Sequence, residues 1–392
     1  MADGRGDAGA IRVLVVGVST RAMAESAARA GYAVTALDAF GDLDQHAGVR
    51  ALSLARDFGV PFSASAVAGA AETIECDAVA YLSPFENHPS AVERLARNRV
   101  LLGNPPPVLA RARDPRLLTA SLGAASGRWL LKPVASGGGH GVREWEPGEP
   151  VPDGWCVQPF VDGVPGSIVF VAARGEAVPL GLTRQLIGDP AFGATGFRYC
   201  GNIVIPSQAP KARGRPRQRP GGGIAIVPSE CAAAATSLAS RFTRELDLVG
   251  VNCIDFIARG DMAVPIEINP RWSASMELVE RALGTSVFAA HAAACTTGEL
   301  PSFRPGRSAA TSDTLGKAIL FARHDVSCGD TRAWLTDPTV RDVPHPGEPI
   351  PAGRPVCTIF ASGHDDASCY AALVQHANTV YAQLESWSSV TA

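Results

Sequence analysis

The chain has 392 residues, 46% of them apolar and 19% charged, with a formal net charge of −3 at pH 7. That composition excludes a disordered chain, and near-neutral charge leaves no long-range field directed at nucleic acid or at a membrane. At about 150 residues per domain, two or three domains are expected.

Ile11 to Gly17, IRVLVVG, is a continuous β-branched run of the kind found in a parallel strand covered on both faces. Ser19, Thr20 and Arg21 open an Ala-rich helix that ends at Gly31, and a second strand, YAVTALD, closes on Asp38. A helix near 46–58 and a strand in CDAVAYLS, leading into PFENHP, continue the alternation. Strands alternating with helices predict a doubly wound, Rossmann-like α/β domain over 1–104. Asn104 and the three prolines after it read as a linker. A different pattern follows: WLLKPV as a strand, SGGGHG as a loop, then WCVQPFV, GSIVFVAA, AVPLGLTRQL and GNIVIP as strands. The segment 210–223 carries five basic residues and four glycines, and reads as a solvated, mobile surface loop. Without interleaved aromatics it does not suggest RNA binding. A helix near 229–246 leads into the hairpin VNCIDFIA-RGD-MAVPIEIN. Short strands and a closing helix near 366–386 make up a small β-rich segment over 301–392.

The nine cysteines include no CxxC pair, which argues against the common zinc and redox spacings and for reduced thiols. The polar start MADGRGDAGA lacks an apolar signal core, and no run approaches the length of a membrane span. A cytoplasmic protein is expected, with no nucleic-acid or membrane partner and with a homo-oligomer as an open possibility.

Two clusters carry chemistry. Lys132 lies on a strand, where its point charge can bridge phosphate oxygens. Ser136, Gly137, Gly138, Gly139, His140 and Gly141 follow it, and the glycines let backbone N–H groups approach a triphosphate. Lys132 precedes the glycines and no GK[ST] closes the run, so this is not a Walker A loop; alone, SGGGHG reads equally as a surface turn. The second cluster is the hairpin 251–271. Asp255 and Glu267 sit on its two strands, roughly opposite one another, and Asn269 shares the Glu267 face by period-2 alternation. Three oxygen ligands on one face suit Mg²⁺ bridging nucleotide phosphates. Arg271 follows immediately, where it can steady a phosphate or a developing oxyanion. Taken singly, Asp255 reads better as a solvated strand carboxylate.

Together these clusters resemble the ATP-grasp family. LLKPVASGGGHGV is similar to that family's lysine strand and glycine-rich lid, VQPFVDG to its adenine hinge, and CIDF with EINPR to its metal-binding strands. The resemblance spans roughly Asn104 to Leu300. It implies an α/β and α+β architecture: a Rossmann-like domain over 1–104, a two-lobed core over 105–300 with its lid at 136–141, and the β-rich segment 301–392. It also implies ATP and Mg as cofactors. Asp255, Glu267 and Asn269 would be the metal ligands, Gln158 would replace a common glutamate, and main-chain groups of Phe160 and Val161 would meet adenine. Arg116 is the nearest candidate for the family's first lysine. The segment between Arg116 and Lys132 is short for the family, Pro165 stands where an acidic ribose ligand is usual, and Cys253 stands where arginine is common.

The implied activity is a carboxylate–amine ligase working through an acyl phosphate, with a small carboxylate and an amine as partners. VGVSTR, FENHP and PVCTIFASG make it most similar to ligases that join glutamate to an amine such as tyramine in one-carbon coenzyme assembly. The alternatives are a carboxylase or purine-type enzyme of the same family, a non-catalytic ATP-binding partner, and a nicotinamide-dependent oxidoreductase, disfavoured because VGVSTR lacks GxGxxG. Ser19–Arg21 reads either as an anion site facing the acceptor substrate or as a helix start with a solvent arginine. Glu86, Asn87 and His88 stand at a strand end where such sheets place ligands.

Overall fold

The computed structural model describes residues 10–119, 127–205, 227, 230–302 and 313–388. The buried run RVLVV forms β1 (Arg12–Val16), the centre of a parallel sheet with β2 (Ala33–Asp38), β3 (Val49–Ser53), β4 (Ala78–Tyr81) and β5 (Val100–Leu102). The spatial order is β3-β2-β1-β4-β5, the doubly wound arrangement expected. Leu14 and Val16 face α3 (Ala64–Ala71) and α4 (Pro89–Leu95). Val13 and Val15 face the other way, into a core that also takes in α1 (Arg21–Arg29), Val169, Met276 and Phe288. The second face of this sheet is therefore buried against the next domain.

The helix expected near 46–58 is corrected by the structure. Residues 49–53 pair in register with β2, from Val34↔Val49 to Asp38↔Ser53, and only α2 (Leu54–Asp57) is helical. An unpaired edge on β2 offers hydrogen bonds that outweigh weak local helix preference. Asn104 is likewise no slack linker. It is buried, its amide nitrogen donates to Asn252 Oδ1 and the Pro270 carbonyl, and its oxygen accepts from Val249 N–H. Pro106 opens α5 (Pro106–Ala112), a position where the missing N–H costs nothing.

After α6 (Arg116–Thr119), β6 (Trp129–Pro133), β7 (Arg143–Trp145) and β8 (Trp155–Pro159) form a small antiparallel sheet in the order β7-β6-β8. The large sheet has the order β13-β12-β9-β10-β11-β14-β18-β16. Its strands are β9 (Val164–Ala173), β10 (Glu176–Ile187), β11 (Tyr199–Ile205), β12 (Gly250–Arg259), β13 (Met262–Asn269) and β14 (Thr314–Phe321). Two more from the C-terminal segment, β16 (Val340–Arg341) and β18 (Pro355–Gly363), complete it. A separate pair, β15 (Val326–Ser327) with β17 (Pro349–Ile350), lies outside it. The β-rich C-terminal segment thus extends the core sheet.

β9 is apolar at nearly every position because both its faces are covered. Ile168, Phe170 and Ala172 meet α7 (Cys231–Leu246), while Val169, Val171 and Ala173 meet α8 (Ala274–Leu283) and α9 (Val287–Thr296). The final helix, α10 (Asp366–Ser388), buries Leu373, Ala377, Val380, Tyr381 and Leu384 along one stripe against β14 and β18. Among the described residues, no helix is long and apolar enough to cross a membrane. The basic segment 210–223 lies outside the described residues.

Candidate active site

A cleft of about 1080 Å³ opens between the small sheet, the large sheet and the carboxyl ends of the N-terminal strands. Its lining brings together Lys132, Ser136, Gly137, Gly138, Gly139, Gln158, Phe160, Val161, Asp255, Glu267, Asn269, Arg271 and Arg116. Of the glycine-loop residues singled out from sequence, His140 and Gly141 are absent from that lining. The His140 side chain is exposed, and its N–H donates to the Gly137 carbonyl within its own loop.

The hairpin places the oxygen ligands. Asp255 pairs directly with Glu267, and Cys253 with Asn269, so all lie on one face of β12–β13. A bulge makes this possible. Phe256 opposes Pro265 while Asp255 opposes Glu267, which leaves Ile266 as an extra residue that re-aims Glu267 and Asn269. Pro265 is tolerated because β13 is a sheet edge. Asp255 accepts from Gln185 Nε2 at 2.8 Å and from Asn269 Nδ2 at 3.0 Å. Burial, and then the neighbouring Glu267 charge, push its carboxyl up to about 7. Burial also acts to raise the Glu267 carboxyl, but Arg113 and Lys132 overcome it and leave that group below the usual glutamate range.

This donor set fits a hard divalent cation: two carboxylates and an amide oxygen, all facing the cleft, with Asp255 held by amide donors alone. The third ligand is an amide, whose oxygen now accepts from Arg271 Nη2 at 2.9 Å. It must turn to meet a metal.

The cations flank this face. Lys132 Nζ donates to Gln158 Oε1 at 2.8 Å across the β6–β8 pair. A glutamate at 158 would neutralise Lys132; the glutamine orients it and leaves its charge to a phosphate. Arg113, unremarked in the sequence, is the most connected group in the site. Its Nη1 donates to Glu267 Oε1 at 2.6 Å, its Nε to Asn87 Oδ1, and its Nη2 to the Val134 and Ser136 carbonyls leading into the lid. Arg116, taken from sequence as the first phosphate-binding cation, is instead bound to Asp114 and is 89% exposed at the side chain. The two stand three residues apart, Arg113 just past the end of α5 and Arg116 at the start of α6, and residue type could not show which of them turns inward.

Arg271 is buried and donates to Glu86 Oε1 at 2.6 Å and to the Trp272 carbonyl. FENHP therefore reaches the site as a support: Glu86 holds Arg271 and Asn87 holds Arg113, while His88 makes no side-chain cap on α4. Arg21 is not the solvent arginine of one reading, although Ser19 and Arg21 both line the cleft. Thr20 donates its N–H and hydroxyl to Asp38, and Arg21 is fully buried among carboxylates.

The lid lies against the opposite lobe. Tyr199 N–H donates to the Gly138 carbonyl at 2.9 Å, and a Cβ on Gly139 would stand 1.8 Å from the Phe197 carbonyl oxygen. With φ of +71° as well, only glycine serves at 139. At the hinge, Phe160 N–H is already donated to the Arg128 carbonyl, so an adenine contact from Phe160 would use its carbonyl, beside Val161.

Residues 107–275 match the family model of the ATP-grasp domain. By structure, the chain is similar to an L-amino acid ligase from Bacillus licheniformis (TM-score 0.64, 14% identity, 94% of this chain and 97% of that one). It is also similar to biotin carboxylase from Campylobacter jejuni (TM-score 0.62, 13% identity, 92% and 89%). An ADP complex of N5-carboxyaminoimidazole ribonucleotide synthetase matches as well (TM-score 0.63, 16% identity, 96% and 98%). No curated protein matches the chain by sequence. Residues 107–275 thus match the ATP-grasp domain model, and the chain is built on the ATP-grasp fold.

Proposed function

We propose that this chain is a Mg-ATP-dependent ligase that joins a carboxylate to an amine through an acyl phosphate. The observation that carries the reading is the facing of Asp255, Glu267 and Asn269 across one cleft from Lys132 and Arg113, beneath a glycine lid. Mg²⁺, held by those three oxygens, would neutralise phosphate charge. A substrate carboxylate oxygen attacks the γ-phosphorus of ATP, and the bond to the ADP oxygen breaks. Lys132 holds the phosphates, Arg113 braces Glu267 and the entry to the lid, and the lid excludes water from the acyl phosphate. The amine nitrogen then attacks the acyl carbon, the carbon–oxygen bond breaks and phosphate leaves. An incoming ammonium gives up two protons, one to the phosphate and one to solvent. Arg271 steadies the tetrahedral oxyanion from its seat on Glu86.

The specific pair proposed is glutamate with an amine such as tyramine, in one-carbon coenzyme assembly, on the strength of VGVSTR, FENHP and PVCTIFASG. We also propose a cytoplasmic location, no nucleic-acid or membrane partner, and a homo-oligomer. A carboxylase reading has one observation behind it, the nearly equal TM-scores to the amino acid ligase and to biotin carboxylase.

The test is ADP release with Mg-ATP, screened against carboxylates and amines, with hydroxylamine to trap an acyl phosphate as a hydroxamate. Glutamate-dependent hydroxamate is the expected result. Stimulation by bicarbonate alone would move the assignment to a carboxylase. Tight nucleotide binding without turnover would make the chain a non-catalytic partner, a reading that Cys253 and Pro165 favour.

A further inference from the structure

One part of the cleft lining comes from three parts of the chain: Ser19 and Arg21 from the N-terminal domain, Glu277 from α8, and Lys317, Asp342 and Thr358 from the C-terminal segment. None belongs to the phosphate or metal machinery. The charges here interlock. Arg21 donates to Asp342 through Nε, to Glu25 through Nη1 and to Glu277 through Nη2, and Asp44 lies 3.5 Å from its Nε. Lys317 Nζ donates to Glu277 and to the Ala274 carbonyl, and Arg281 lies 3.5 Å from Glu277. Arg29 bridges Glu25 and Glu280.

The cations in this network are thus engaged by carboxylates of the protein, which leaves them little capacity for a substrate anion. Ion pairs join Glu25, Asp44, Glu277, Glu280 and Asp342 to Arg21, Arg29, Arg281 and Lys317. Arg341 adds a further cation near Asp44, its Nη1 donating to the Asp337 and Val340 carbonyls. Asp42 reports the local field independently. It is 8% exposed, its Oδ2 has no partner, and burial followed by the charges of Asp342, Asp38 and Asp44 drives its carboxyl far above the usual range. Asp342 combines access with charge: it lines the cleft and its side chain is 25% exposed, against 7% for Glu277 and 5% for Asp44.

We infer that this part of the cleft is the acceptor subsite, and that Asp342 receives the ammonium group of a small primary amine there. The inference rests on the ligase reading above and deepens it. It assigns amine selection to the C-terminal segment and carboxylate activation to the hairpin side. An ammonium would pair with the Asp342 carboxylate, which lines the cleft and is bonded by Arg21 through Oδ1, whereas a second carboxylate there would be repelled.

Asp342 sits at φ +55°, a backbone region that asparagine tolerates as well as aspartate, so Asp342→Asn removes charge with little backbone strain. The experiment measures hydroxamate formation with hydroxylamine, then amide formation across a panel of primary amines that includes tyramine, in wild type and D342N. For the most active amine, we expect D342N to raise KM about tenfold or more, the cost of a charge-assisted contact. Its kcat and hydroxamate yield should stay near wild type. In parallel, the hydroxyl isostere of that amine (tyrosol for tyramine) should inhibit wild type about tenfold more weakly than a non-reacting tertiary analogue that keeps the positive charge. This second measurement stands even if D342N misfolds. An unchanged amine KM in a folded D342N, or equal inhibition by charged and neutral analogues, overturns the subsite. Hydroxamate without any active amine overturns it too. Absence of both hydroxamate and amide product in wild type instead removes the ligase reading beneath it.

Discussion

Two networks of buried carboxylates line one cleft, and the chain completes them differently. Around Glu277, burial acts to raise the carboxyl, but Arg21, Lys317 and Arg281 overwhelm it and hold it far below the usual glutamate range. Around Asp255 the balance is left short: Gln185 and Asn269 donate only amide hydrogens, and the carboxyl rises to about 7. Three strong donors make a carboxylate part of the frame that joins the domains. Neutral donors beside a second acid leave negative charge for something else to neutralise. The contrast separates groups that hold the fold from groups that await a ligand, although both are acidic residues on the same cleft wall.

The comparison breaks most visibly if Glu277 and Glu267 behave alike. Glu277→Gln leaves Arg21 and Lys317 without their shared carboxylate, and we expect a loss of about 3–5 kcal/mol in urea unfolding. Because the folded-state pKa of Glu277 is depressed, its contribution is present above the unfolded value near 4.3 and is lost as pH falls through the acid range. The wild-type stability should therefore drop below about pH 5, and E277Q should flatten that limb. Glu267→Gln should cost less stability than Glu277→Gln, because Arg113 keeps Asn87 and two backbone carbonyls as partners, and should lower ADP release by more than about 100-fold. A variant E267Q with wild-type ADP release at limiting Mg²⁺ removes the metal assignment.

Next in size are the cations. Lys132→Met and Arg113→Met should each weaken binding of a non-hydrolysable ATP analogue by about 1.5–3 kcal/mol, or roughly one to two decades in Kd. Arg116→Met, at an exposed pair, should leave that affinity essentially unchanged. Isothermal titration decides this, and an Arg116 effect as large as that of Arg113 would reverse their assignment.

A smaller effect of opposite sign is expected at Asp255. A carboxyl whose folded-state pKa is raised lowers stability as pH climbs from about 4 to 7, since the unfolded chain ionises first. Asp255→Asn should therefore be about 1–2 kcal/mol more stable than wild type at pH 8 without divalent metal, with activity lost. Equal stability across that window would show that Asp255 is already neutralised, like Glu277.

The smallest effect concerns the lid. Gly139→Ala should leave the fold intact and lower kcat by about tenfold, because the added Cβ meets the Phe197 carbonyl when the loop packs down. In the wild type, nucleotide should slow hydrogen exchange over 136–141, and indifference to nucleotide would argue against a lid.

Much of the candidate site around the glycine loop and the hairpin was legible in the chain itself, because those residues are neighbours in sequence. Lys132 stands next to its glycines, and Glu267, Asn269 and Arg271 fall within one short run. Strand alternation places such neighbours on one face without knowledge of the rest of the molecule. The continuous apolar runs of β1 and β9 declared burial on both sides for the same reason. What composition and spacing could not decide was anything set by distance in sequence. The Ile266 bulge that brings Glu267 opposite Asp255 depends on pairing between strands. The inward turn of Arg113 in place of Arg116 depends on Glu267, 154 residues away. The burial of Arg21 depends on Glu277 and Asp342, which meet it only because the C-terminal strands extend the core sheet toward the N-terminal domain. A charge in sequence has a type but no partner, and tertiary packing alone decides whether that charge is satisfied by the protein or left for a ligand.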